Sequence, residues 1–337
     1  MKILLTGGVG FIGLKVAAKL HSQGHSLVAL DSLLEQVHQD IEAEKAQFPG
    51  EIVVGDVSDA SAWELLEPAG AIIHLAAETG TAQSMYETDR YRRVNIEGTR
   101  LAAEYAVKWN APLISLSSRA VYGEGFEDRG TTENDPHRPL SVYGETKSEG
   151  ERVVAEMTAG KIAATIIRPQ NVIGPGQALH NPYTGVLAAF LARLREGKNL
   201  SVYGDGTATR DFIHVEDVAD FIVWALNHAP EMSESPRIFN LGSGERITLD
   251  QLAQFSIDAV PGGSASVIEH VDVKRAGDID HALADMNFAY SLGAPHAKWS
   301  ARESIADFIQ KSWETPGAKS EAWDTALEEL TERGLAE

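Results

Sequence analysis

The chain has 337 residues, 43% hydrophobic and 23% charged, enough for one large or two medium domains around a sizeable core. A formal net charge of -20 disfavours nucleic acid and anionic membranes as partners, so an anionic ligand has to be met by a few local cations. The absence of cysteine excludes disulfides, thiolate metal sites and a cysteine nucleophile, and no metal is expected.

The opening "MKILLTGGVGFIG" is apolar for only a few residues, and no run approaches the roughly 20 apolar residues of a membrane span. A cytoplasmic protein is expected. Short β-rich runs, "KILLT", "HSLVAL", "EIVVG", "AIIHLAA", "APLISLSS" and "IAATIIRP", alternate with helix-like segments. That alternation predicts right-handed βαβ units: a doubly wound α/β fold of Rossmann type on a mostly parallel sheet. Among the helices, "GLKVAAKLHSQG" is closed by Gly24 and "NIEGTRLAAEYAVKWN" ends near Asn110.

After Arg168 the rhythm breaks into "PQNVIGPGQALHNPYTG", dense in Pro, Gly and Asn, which predicts loops that cover a site. A helix, "VEDVADFIVWALNHA", and a strand, "RIFNLG", then return to the sheet. Residues 1–168 with a return at 211–242 are therefore assigned to a dinucleotide-binding domain, and 169–210 with 243–315 to a second, smaller α/β domain for the substrate. The acidic tail 316–337, including "EAWDTALEELTERGLAE", is read as partly helical and as a solvated face or frayed terminus.

The stretch "TGGVGFIG" follows the first strand and opens the first helix, and Gly8, Gly10 and Gly13 satisfy G-x-G-x-x-G in the context that a dinucleotide site requires. Gly7 and Gly10 let the chain turn and approach a pyrophosphate, Gly13 lets helix and strand close up, and the helix N-terminus offers amide donors. Phe11 and Ile12 lie beside them. Asp31, roughly 20 residues on at the end of the second strand, suits the two ribose hydroxyls of an adenosine and would repel a 2'-phosphate. The residues after it, Ser32 and "LLEQ", bring no Arg or Lys, so NAD is expected over NADP. "GDVSD" offers Asp56 and Val57 for the adenine edge, or Asp56 as a cap for the next helix.

Downstream, "SVYGETKSEG" puts Tyr143 and Lys147 four residues apart in the first turns of a helix, and "SLSSRAVYG" brings Ser117 and Ser118 to the end of the fifth strand. A serine hydroxyl, a phenol and an ammonium group then converge at the sheet's carboxyl edge. An adjacent ammonium and a cationic nicotinamide ring would favour the phenolate, able to take a proton from an alcohol as its hydride leaves.

The set from "TGGVGFIG" through "HLAA", "VNIEGT", "SSRAVYG" and "YGETK" to "RPQNVIGPGQ", "YGDGTATRDFIHVEDVA" and "NLGSGE" resembles the extended short-chain dehydrogenase/reductase family, in its nucleotide-sugar epimerase and dehydratase branch. The resemblance implies Ser118, Tyr143 and Lys147 as catalytic residues, Leu75, Ala76 and Ala77 as the loop over NAD, Pro169 as a nicotinamide-side contact and Asn95 as a structural asparagine on the long helix. It implies that Asn171 and Arg210 hold a diphosphate with Arg275 as a second cation, and that Val202 and Tyr203 border the base. Bidentate arginine bonds to phosphate suit that role.

The dehydratases and decarboxylases of the branch carry an acidic residue where this chain has Arg119 and Ala120, and neither can move a second proton. Simple removal and return of a hydride, a 4-epimerase reaction, is therefore expected over elimination, and a net reductase or dehydrogenase would use the same residues. Arg119 points at the substrate or into solvent. "HLAAETGTAQSMYE" and "GQALHNPYTGVLAAF" are similar to a subgroup that includes 4-epimerases of the deoxythymidine-diphosphate-L-rhamnose type, which makes Glu78, Thr79, Gln170, Asn181 and Thr184 sugar-side residues. The implied partners are a deoxythymidine- or uridine-diphosphate hexose and a second copy of the chain. In that homodimer the helices around Ala102, Ala103 and Ala106 and around Tyr143 would pack across a two-fold axis.

Overall fold

Ile3, Leu4 and Leu5 are buried on successive, opposite faces, so the first strand can only lie inside a sheet covered on both sides. The computed structural model describes residues 1–183, 185–229 and 235–336. In chain order its strands are β1 (Lys2–Thr6), β2 (Ser26–Asp31), β3 (Glu51–Val54), β4 (Ala71–His74), β5 (Leu113–Leu116), β6 (Ala164–Pro169), β7 (Asn171–Ile173), β8 (Leu200–Tyr203), β9 (Thr209–Arg210), β10 (Phe212–His214), β11 (Arg237–Leu241), β12 (Ile247–Thr248) and β13 (Ile268–Val271). Seven of them form one parallel sheet in the order β11-β6-β5-β4-β1-β2-β3. The order reverses between β1 and β4, and ligands of such sheets bind at that point, beyond the strand carboxyl ends.

Ile3 and Leu5 face helices Phe11–Ser22 and Val215–Asn227, in a core with Val16, Leu20 and Phe221. Leu4 faces the other layer, with Trp63, Leu101 and Val154 from helices Ala60–Glu64, Gly98–Trp109 and Val142–Thr158. Ala102, Ala103 and Ala106 are fully buried in this second core. They let the helix approach its own sheet, so the expectation that they bring a partner's helix close is corrected.

A third core gathers Ile173, Phe190, Leu191, Leu200, Leu252, Ile305 and Phe308. It is flanked by three two-stranded pairings: β10 with β7, β13 with β8 and β12 with β9. Phe212–His214 thus extends the second region rather than the main sheet, and the return to the first layer begins with helix Val215–Asn227.

The reading of the tail as a solvated or frayed end is also corrected. Helix Glu321–Glu332 buries Ala326 and Leu330, and Trp323 packs on the third core. The Ala318 amide donates to the Leu179 carbonyl at 3.0 Å, and the Ala276 amide donates to the Leu335 carbonyl at 2.8 Å. The apolar spacing of Trp323, Ala326 and Leu330 had a partner far away in sequence. Leu330→Ala is expected to lower the unfolding free energy by about 2–4 kcal/mol, read from the urea midpoint. An unchanged midpoint would return the tail to the role of a loose end.

Candidate active site

The glycine turn is dictated by close backbone approach. Gly7 has φ +66°, and a Cβ on Gly13 would stand 2.3 Å from the Gly7 carbonyl oxygen, closer than any side chain permits. The N-cap of helix Phe11–Ser22 is Gly10, which has no side chain to cap the first amides, so those donors face the cleft. Asp31 is bound to the same turn: its Oδ2 accepts the Val9 amide at 3.0 Å and its Oδ1 the Leu33 amide at 3.0 Å. The carboxylate therefore caps a local turn while still lining the cleft. These groups wall a cavity of about 580 Å³. They suit a dinucleotide: a turn without Cβ atoms, open amides at a helix N-terminus and an acid at the end of β2.

Gly7, Gly10, Phe11, Ile12, Gly13, Asp31, Ser32, Asp56, Val57, Leu75, Ala76, Ala77, Ser117 and Pro169 all line this cavity, as do Glu78, Thr79, Gln170 and Asn171. Asp56 accepts the Ser58 amide and hydroxyl and pairs with Arg93 at 2.6 Å, and the cap of the next helix is Asp59 instead. Asn95 is not on the wall. Its side chain accepts the Glu78 amide at 2.8 Å and donates to the Glu78 carbonyl and the Thr146 hydroxyl, so it ties the loop after β4 to helix Val142–Thr158 from behind. It lies in a π-helical turn, Arg93–Glu97, just before the long helix.

Ser118, Tyr143 and Lys147 meet in the same cavity. Ser141 caps helix Val142–Thr158 by accepting the Gly144 amide at 3.2 Å, and the Tyr143 amide donates to Ser84 Oγ at 3.0 Å, which fixes the tyrosine in the first turn. Lys147, one turn on, donates from Nζ to the Leu116 carbonyl at 3.0 Å. Ser118 Oγ accepts the Ala120 amide at 3.1 Å and faces the phenol. Burial pushes the Tyr143 phenol above its ordinary pKa and Ser118 acts against that shift. Burial pushes the Lys147 ammonium down to about 8, with Glu151 opposing. The Lys147 ammonium is directed at a backbone carbonyl rather than at the phenol.

Behind the serines lies a buried ion pair. Arg168 donates to Glu151 through Nε at 2.8 Å and Nη2 at 2.6 Å, and to the Tyr122 hydroxyl at 2.6 Å. Glu151 also accepts the Ser117 hydroxyl, and Tyr122 donates to Asn240 at 2.6 Å.

Arg119 turns inward rather than to solvent. One Nη donates to the Gly123 carbonyl at 2.6 Å, while its Nε is buried without a partner. Burial, with the nearby Arg210 charge adding to it, pushes Arg119 down to about 10. Burial also lowers Arg210, and the Arg275 charge acts in the same direction. Arg275 is held by Asp278 at 3.0 Å and sits 5.1 Å from the centre of the Tyr203 ring. Arg119 thus neighbours Arg210 and Arg210 neighbours Arg275, and neither these arginines nor Tyr203 are on the cavity wall. Val202 is corrected: at 2% exposure it belongs to the third core, because alternate residues of β8 point inward. Asn181 is buried, accepting the Tyr183 amide at 3.0 Å, and is not on the cavity wall. Thr184 lies outside the described residues.

The sequence reading missed His38, Arg90, Gln177 and Tyr183, all of which line the cavity. Arg90 pairs with Glu78 at 2.7 Å. Gln177 and Tyr183 lie in "GQALHNPYTGVLAAF", where the reading singled out Asn181 and Thr184 instead, whereas His38 and Arg90 sit at no assigned motif position and only the acid-rich company of His38, between Asp31 and Glu44, offered a signal for it.

The parallel sheet, the glycine turn, Asp31 and the Ser118, Tyr143 and Lys147 cluster define a Rossmann-type dinucleotide-dependent protein. A family model described as the NAD dependent epimerase/dehydratase family matches residues 3–242, and the chain belongs to that family; its cofactor is NAD. The chain is 36% identical to a dTDP-L-rhamnose 4-epimerase of Burkholderia thailandensis, over 91% of this chain and 93% of the relative. It is similar to two solved structures. One is UDP-glucose 4-epimerase of Thermus thermophilus in complex with NAD, at 25% identity and TM-score 0.82, over 94% and 100% of the two chains. The other is UDP-glucose 4-epimerase of Thermotoga maritima with UDP-glucose, at 27% and 0.81, over 94% and 99%. Among the described residues no helix is long and apolar enough to cross a membrane.

Removing the Glu151 charge leaves Arg168 buried without its anion. Glu151→Gln is expected to lower stability by about 3–5 kcal/mol, measured by chemical denaturation. A loss below about 1 kcal/mol would show that neighbouring acceptors carry the pair.

Proposed function

We propose that the protein is an NAD-dependent 4-epimerase of a nucleoside-diphosphate sugar. The observation that carries this reading is the meeting of Ser118, Tyr143 and Lys147 in one cavity with the glycine turn and Asp31, while Arg119 stands where elimination needs an acid. NAD supplies the hydride acceptor at C4 of the sugar and the donor for its return. Tyr143 takes the proton of the C4 hydroxyl and gives it back, and Ser118, facing the phenol, bonds the same oxygen. Lys147, oriented by the Leu116 carbonyl, holds the ribose. Asp31 accepts the adenosine ribose hydroxyls, and Arg210 and Arg275 hold the diphosphate, with Tyr203 bordering the base. Glu78, Thr79, Gln170 and Asn171 face the sugar, and the Gln170 side-chain oxygen, buried without a partner, is an acceptor for a sugar hydroxyl. The relatives that act on dTDP-L-rhamnose and UDP-glucose support a deoxythymidine- or uridine-diphosphate hexose as substrate.

Run in D2O with such hexoses and no added cofactor, the enzyme is expected to give the 4-epimer with no deuterium on carbon and no net change in NADH. Deuterium at C5 or C6 would mark a dehydratase, and turnover dependent on stoichiometric NADH a reductase. Tyr143→Phe is expected to bind NAD and substrate yet turn over at least about 10²-fold more slowly, the scale of a lost general base. Near-full activity would remove the phenol from that role.

The assembly proposed with this reading is a homodimer through helices Gly98–Trp109 and Val142–Thr158. Their outer faces carry paired charges, Arg100 with Glu97 and Glu104, and Arg152 with Glu149 and Glu156. Light scattering is expected to give twice the chain mass at micromolar concentration, and a monomer there would exclude the dimer.

A further inference from the structure

Beside the Asp31 carboxylate lies a side chain outside every motif. The loop after β2 passes Leu33, at φ +51°, and the His38 amide then donates to the Leu34 carbonyl at 3.0 Å, which turns the ring back beneath the loop. The ring is 3% exposed, with Nε2 3.3 Å from Asp31 Oδ1. Nδ1 meets Glu44 Oε2 on helix Ile41–Gln47, and the other Glu44 oxygen accepts the Gln39 amide at 3.0 Å.

A neutral imidazole has one N–H, so between two carboxylates it would turn a lone pair onto an anion; the imidazolium donates to both. Burial opposes the charge and is outweighed by the bonds to Asp31 and Glu44, which hold the His38 pKa above its ordinary value. These are the charged groups that face the ring, from the end of β2 and from helix Ile41–Gln47. The arginines of the same cavity are engaged elsewhere, Arg90 with Glu78 and Arg93 with Asp56.

We infer that His38 is a positioning residue of the NAD site: as an imidazolium it clamps Asp31 to Glu44 and so fixes the carboxylate that meets the adenosine ribose. The inference rests on the proposed role of Asp31 toward that ribose. Because the folded pKa is raised, the clamp is complete below the unfolded value of about 6.5 and is lost as pH rises through the higher folded value. NAD affinity then follows His38, not the acids beside it.

The test is calorimetric binding of NAD to the full chain freed of nucleotide, with His38 followed by imidazole NMR. Between about pH 6 and about pH 9 the affinity is expected to weaken roughly fivefold or more, with the same midpoint as the His38 titration. Glu44→Gln removes one raising charge and should move both midpoints to lower pH together. His38→Gln should bind weakly already at low pH and show no step. A flat wild-type profile, or a His38→Gln variant with unchanged affinity and step, would overturn the inference. If that variant does not fold, the wild-type and Glu44→Gln midpoints decide. Asp31→Asn separates the two readings: unchanged NAD affinity sinks the ribose role of Asp31, whereas weakened affinity alongside a silent His38→Gln sinks only the clamp.

Discussion

The Glu151–Arg168 ion pair is the contact through which the active-site elements are registered against one another. Glu151 belongs to the helix that carries Tyr143 and Lys147, one turn beyond the lysine, and Arg168 stands near the end of β6. Through Tyr122 and Asn240 the arginine reaches the turn after Ser118 and strand β11, and through Ser117 the glutamate reaches the end of β5. Taking both charges out of water costs several kcal/mol before their attraction is counted, so the pair is weak evidence for stability by itself. Its geometry is better explained by registry. A helix sliding by one residue would part the two charges and take the Ser117 hydroxyl from its acceptor, and few alternative packings survive that penalty.

A second constraint is the placement of positive charge in a chain with a formal net charge of -20. Arg119, Arg210 and Arg275 stand together, and only Arg275 has a close carboxylate partner, Asp278, among its bonds. Burial works against the charged state of Arg119 and Arg210; Arg210 adds to it at Arg119 and Arg275 at Arg210, while Glu124 opposes the shift at both and Asp278 opposes it at Arg210. An anion brought beside such an arrangement would offset the repulsion, which is the physical basis of the diphosphate role proposed for Arg210 and Arg275.

How much of this was legible before the structure depends on the range of the interactions concerned. The glycine turn, Asp31 and the spacing of Tyr143 and Lys147 are short-range consequences of backbone geometry, and the sequence displays them directly. Val202 was misplaced because a motif position says nothing about which face of β8 points inward. The alanines of helix Gly98–Trp109 were assigned to a partner although the protein's own sheet needed the same close approach. The tail looked loose because its partners, Leu179 and Ala276, are far away in sequence, and no local pattern announces such contacts. Asn95 was readable as structural, but the bonds it makes to Glu78 and Thr146 bridge segments that only the fold brings together.

Burial drives the pKa values of Tyr143 and Lys147 in opposite directions, and that opposition gives Glu151 a further part. The phenol of Tyr143 is raised and the ammonium of Lys147 is lowered, so burial favours the neutral form of each. At neutral pH Lys147 keeps its proton by a narrow margin, and the Glu151 charge is what widens it. The lowered lysine pKa means that its charged form costs folding stability below the folded value, a cost that disappears as pH rises above it. The carboxylate that fixes Arg168 therefore also sustains the Lys147 cation. One buried anion thus serves both the registry of the helix and the charge of Lys147, one turn before it.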